Sequence, residues 1–141
     1  MRLSDQDAKL FFQLMWAVQF YVNQKLKIHD IKCIDDYADS PTDQKVKVRD
    51  ALYENIELID SFVNENPQNF SKKNLATVSE WKKFIRGSFF IERLLKKYAV
   101  FVQENKVYGV FGLSQNFDQL TNDANLPLYV DTVLLPFKGK I

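Results

Sequence analysis

Apolar side chains return every three or four residues near the start of the chain. Ala8, Phe11, Leu14, Met15, Val18, Val22 and Leu26 share one broad face at helical pitch, while Gln6, Lys9, Gln13, Gln24 and Lys27 mark the opposite one. The spacing predicts a helix from Asp5 to about Lys27. Ser4 can cap its free N–H groups, and Asp5 and Asp7 face the positive end of its dipole. Trp16 and Phe20 fall inside the polar stripe. A helix of this kind is either covered on nearly all sides or shows aromatic surface to a partner, and it should be central to the fold.

Ser40-Pro41 is a second start signal, a capping residue followed by proline at the first helical position. Val48, Leu52, Ile56, Ile59 and Val63 then recur at three- and four-residue steps until Asn66-Pro67, with Asn55 placed to split the run into two shorter helices. Phe70-Ser71 opens a further helix whose stripe is Leu75, Val78, Trp81 and Ile85. Lys82, Lys83 and Arg86 would suit its negative carboxy end, and Gly87 its closing position.

Beyond Gly87 the pattern changes to β-branched and aromatic runs. Tyr98 to Val102 and Val107 to Phe111 flank the turn-forming Glu104-Asn105-Lys106, which predicts a hairpin. Phe89 to Leu95 fits strand or helix equally. Phe117 to Thr121 predicts a helical turn, and Leu128 to Leu135 a further strand closed by Pro136. The expected fold class is α+β, with three or four amino-terminal helices packed on a small antiparallel carboxy-terminal sheet. The helical part covers about residues 4–87 and the mainly β part about 88–141.

The 141 residues, 46% of them apolar, suit one globular domain spanning 1–141. The final residues, Phe137 to Ile141, stop on an apolar residue with no polar tail, which reads as the N-terminal domain of a longer protein. Two acids stand where a secretory leader would be basic, and Leu10 to Val22 is too short and too polar to span a bilayer. Cytoplasmic localisation without membrane contact is therefore expected. Cys33 is the sole cysteine and His29 the sole histidine, so internal disulfides and multi-histidine metal sites are excluded. No cofactor and no metal are expected.

His29 and Cys33, four residues apart, have the spacing of a thiolate–imidazole pair, but His29 at the end of the first helix more simply answers its dipole. Asp35, Asp36, Asp39 and Asp43 lack the glycine and closing glutamate of a calcium loop and read as a solvated connector. Gly109 to Gly112 has the letters of a GXXG nucleic-acid loop without flanking bases, so close backbone packing explains it better. Asp131 reads as a residue on the wet face of a half-exposed sheet.

The net charge is only +1, yet it is unevenly spread. Residues 30–65 hold ten acids against four bases, and residues 72–106 nine bases against three acids. The basic part interleaves Trp81, Phe84, Phe89, Phe90 and Tyr98, a pattern that could stack bases and hold phosphates through Lys82, Lys83, Arg86, Arg93, Lys96 and Lys97.

The run Leu134-Leu135-Pro136-Phe137-Lys138-Gly139-Lys140-Ile141 stands with Glu80-Trp81-Lys82-Lys83-Phe84-Ile85-Arg86-Gly87 and Tyr108-Gly109-Val110-Phe111-Gly112-Leu113. Together they resemble an uncharacterised family of bacterial proteins, over most of the chain. The resemblance implies a helical part leading into a small sheet, and a chain that often continues past the segment matching Phe137 to Ile141. It implies no activity and carries over no catalytic or ligand residues. Thr121 to Asn125 is longer than the family's usual connection.

Scarcity of reactive side chains favours a non-catalytic interaction or regulatory domain, with Trp16, Phe20 and the apolar carboxy end as contact surface. Its expected partner is another protein, a second copy or a further domain of the same chain. The alternatives are an RNA or single-strand binder using the six basic residues, and a small enzyme using His29 and Cys33.

Overall fold

The structure is a computed structural model that describes residues 2–113 and 125–141. The turn expected over Phe117 to Thr121 and most of the connection Thr121 to Asn125 lie outside the described residues. The chain is α+β, with helices α1 (Asp5–Leu26), α2 (Ile34–Ala38), α3 (Thr42–Glu54), α4 (Leu58–Glu65) and α5 (Lys72–Glu80), then strands β1 (Ile85–Leu94), β2 (Ala99–Gln103), β3 (Lys106–Val110) and β4 (Leu128–Leu134). It divides into two compact units, Leu10–Lys82 and Met1–Lys9 with Lys83–Ile141.

In the helical unit, Leu14, Met15, Val18 and Val22 of α1 are buried as their spacing predicts, whereas Leu26 is exposed. Burial extends beyond that face to Ala17, Gln19, Tyr21 and Asn23. The two buried amides each have a partner, as polar groups removed from water require. Gln19 Oε1 accepts the Tyr37 hydroxyl at 2.6 Å. Asn23 Oδ1 accepts from the His29 backbone N–H at 2.9 Å, and its Nδ2 donates to the His29 carbonyl at 3.1 Å, clamping the chain as it leaves the helix.

Tyr37 belongs to α2, a five-residue helix within the stretch expected as a solvated connector. One buried tyrosine is enough to pin it, and burial raises the Tyr37 phenol above its ordinary range. Asn55 separates α3 from α4, its Nδ2 donating to the Ala51 carbonyl at 2.9 Å. Asn66 ends α4 in the left-handed region (φ 44°), where asparagine is tolerated, and its side chain bonds both the N–H and the carbonyl of Phe70. Ser71 caps α5 by accepting the Asn74 N–H at 3.2 Å. That helix stops at Glu80 and tightens into a 3-10 turn over Trp81–Lys83, so it is shorter than its stripe implied. Ile85, Arg86 and Gly87 belong to β1 instead. Glycine suits this position because the backbone there has a φ of 156°, a conformation that residues with a Cβ rarely adopt.

In the sheet unit the strand order is β3-β2-β1-β4, every neighbouring pair antiparallel. Residues 89–95 resolve as strand up to Leu94. The inner face carries the core: Phe89, Ile91, Ala99, Phe101, Val110 and Leu134, with Leu94, Tyr108, Leu128, Val130 and Ile141 packed against them. Ile91 pairs with Phe101 but Arg93 with Val100, so Glu92 is an extra residue in β1, a bulge. Segment 111–112 is tied on both sides, Leu3 N–H donating to the Gly112 carbonyl at 2.9 Å and Phe111 N–H to the Ile141 carbonyl at 2.7 Å. Lys138 bridges to Asp7 at 2.6 Å and holds that carboxyl below the usual range.

Candidate functional site

His29 and Cys33 line different grooves. The His29 groove, about 340 Å³, is bordered by Lys27, Asp30 and Lys32, and its ring Nε2 lies 3.2 Å from the Gln44 carbonyl. Cys33 is exposed beside Phe20, Asp35 and Gln68. Among the described residues no hydrogen bond joins the two side chains, so neither can activate the other as they stand. Asp35, Asp36, Asp39 and Asp43 are exposed, and among the described residues no cluster of three or more His, Cys, Asp or Glu is positioned to hold a metal.

Trp16 is half-buried by its own unit. It stacks on Phe12 at 5.5 Å, meets Tyr37 at 6.2 Å, and carries the Lys45 ammonium 4.7 Å above its ring. Phe20, also half-buried, lines the shallow groove that holds Cys33. At the other end of the chain, Phe137 is buried and Ile141 packs on the sheet core.

The six basic candidates divide between the two units. Lys82 lies in the helical unit and is bound to Asp60 at 3.0 Å; Lys83, Arg86, Arg93, Lys96 and Lys97 lie in the sheet unit. Arg86 and Arg93 are on β1, while Lys96 and Lys97 form the β1–β2 connection.

The outer face of the sheet is where exposed surface gathers. Strand alternation fixes which residues point there: with Phe89, Ile91 and Leu94 inward, Ser88, Phe90 and Arg93 face outward. Register then aligns Val107 with Val102, Val102 with Phe90, and Phe90 with Tyr129, a single row crossing all four strands. Val107 is 68% exposed, Tyr129 59% and Phe90 47%. The Phe90 and Tyr129 rings stand 5.0 Å apart at 60°.

One row further along, Arg93 pairs with Val100 and Val100 with Gly109. The Tyr98 ring lies over Gly109, so close that a Cβ there would be 2.9 Å from Tyr98 Cδ2. Gly109 therefore serves close packing, which gives Tyr98 its seat on the outer face. On the other side of the Phe90 row, the exposed Asp131 accepts the Ser88 hydroxyl and is engaged within the face itself.

The sequence pointed to Phe90 as one aromatic in a basic segment, but not to Tyr129 or Val107, whose place depends on strand pairing. An exposed aromatic row with bases beside it can dock a partner by burial, stacking and charge; it offers no nucleophile or poised acid–base pair. No helix among the described residues is long and apolar enough to cross a membrane. Compared with protein-family models, curated proteins and solved structures, the chain finds no match.

Proposed function

We propose that this chain is a non-catalytic binding domain of a cytoplasmic protein, taking its partner on the outer face of the sheet. The observation that carries the reading is the row Val107, Val102, Phe90 and Tyr129, which leaves two large rings in water across neighbouring strands. Apolar surface held in water by a rigid sheet is costly to leave uncovered, and burying it drives association. The lone, exposed Cys33 supports an interior, reducing setting.

Hydroxyl-radical footprinting tests the reading. Phe90 and Tyr129 should be oxidised readily in the purified protein and protected in extract of the cells that make it, while the exposed Leu26 keeps its reactivity. Equal oxidation of the two rings in both settings refutes it.

A further inference from the structure

We infer that the ligand of this face is single-stranded nucleic acid, with Phe90, Tyr129 and Tyr98 stacking on bases and Arg93, Lys96 and Lys97 holding phosphates. This rests on the outer face being the contact surface and assigns its partner class.

Charge carries the assignment. Several bases elsewhere are paired with acids: Arg2 with Asp5, Lys25 with Glu65, Lys82 with Asp60 and Lys138 with Asp7. Arg93, Lys96 and Lys97 are exposed and make no ion pair among the described residues. Arg93 lies on the register row that borders Phe90, and Lys96 and Lys97 lie in the β1–β2 connection beyond it. The acid on the face, Asp131, keeps its charge while accepting the Ser88 hydroxyl, and lies on the far side of the Phe90 row from Arg93. Unpaired cations beside open rings match a polyanion that carries its own aromatic faces.

Geometry selects the single-stranded form. The rings stand out from the exposed face of a sheet, and the faces of bases are free to stack on them only when the strand is open. The Phe90–Tyr129 pair forms one stacking station. Tyr98, over Gly109, is two strands and one register row from Phe90, about 12 Å by standard sheet spacings, and forms a second. With the bulge at Glu92, Arg93 falls on the same face, next to the β1–β2 connection that carries the lysines.

The test is fluorescence anisotropy with a labelled, mixed-sequence single-stranded oligonucleotide. Micromolar binding is expected at low salt, with a slope of about −2 in log K against log salt for three phosphates. Phe90→Leu keeps an apolar residue but removes the stacking face, and Tyr129→Ala removes the second ring; each should weaken binding roughly 5- to 100-fold at unchanged slope. Arg93→Gln with Lys96→Gln and Lys97→Gln should flatten the slope toward zero. Lys72→Gln with Lys73→Gln, in the helical unit, should leave binding as it was.

No binding at low salt overturns the inference, as does equal weakening by the Lys72/Lys73 pair or by a duplex of the same sequence competing as well as the single strand. Footprinting in nuclease-treated extract separates this failure from failure of the contact surface. Protection of Phe90 and Tyr129 that survives nuclease assigns the face to a protein partner and refutes nucleic acid. Protection lost on nuclease treatment supports the inference.

Discussion

Replacing Tyr37 by phenylalanine deletes one oxygen from a side chain with no exposed surface. That oxygen donates to Gln19 Oε1 at 2.6 Å, and Gln19 is itself buried. The deletion leaves an amide acceptor facing an apolar wall, which costs about 1–3 kcal/mol, more than the net worth of the hydrogen bond it removes. Gln19→Met should cost a similar amount by orphaning the phenol instead. Removing both ends together should bring stability back to within about 1 kcal/mol of the parent, because neither polar group is left to desolvate. Urea unfolding followed by tryptophan fluorescence reads all four species, with Trp16 reporting locally from 6.2 Å. A double variant as unstable as the sum of the single ones would refute the reasoning, and so would single variants indistinguishable from the parent. The same phenol has a second signature. Its folded-state pKa lies above the unfolded value of about 10, so its contribution is whole below about pH 10 and is lost as pH rises beyond it. Tyr37→Phe should blunt that alkaline loss.

Glu65 behaves in the opposite sense: hydrogen bonds from Tyr21 and Lys25 hold its carboxyl below the ordinary range, while burial first, and then Glu65, push the Tyr21 phenol up to about 12. The Glu65 contribution is therefore present above about pH 4.3 and lost as pH falls below it, so Glu65→Gln should flatten that part of the acid limb in denaturant midpoints; an unchanged limb would count against the pair. Gly109→Ala should swing the Tyr98 ring off its seat at a cost of about 1 kcal/mol, seen as a changed Tyr98 environment in NMR with the sheet intact; an unmoved ring would contradict the close packing.

The residues that were legible in sequence are those whose structure is decided locally. The α1 stripe, the break at Asn55, the Ser71 cap and the turn between β2 and β3 all follow from neighbours a few positions apart. The end of α5 was not, because Ile85 satisfies two periods at once: it continues the stripe of Leu75, Val78 and Trp81, and it begins the alternation Ile85, Gly87, Phe89, Ile91. Pairing with β4 from Ile85–Leu134 to Ile91–Leu128 decides in favour of strand, and that partner comes from far along the chain. Burial of Gln19 and Asn23 was equally hidden, since their acceptors and donors sit in α2 and in the turn after α1. The candidate surface is the extreme case. Phe90 was visible, yet the row it joins exists only through three strand pairings.

Glu92 shows how much can rest on counting rather than on chemistry. Strict alternation after Ile91 would send the side chain at 93 inward and the one at 94 outward. The single added backbone unit reverses that parity, so the leucine reaches the oily side and the guanidinium reaches water. Deleting that one residue would leave the arginine opposite Val100 and the leucine opposite Ala99 in a regular ladder, each on its present side; a ladder that kept Glu92 without the bulge would instead drive the cation into the apolar layer. The bulge thus absorbs one surplus residue and keeps the positive charge on the wet face of the sheet.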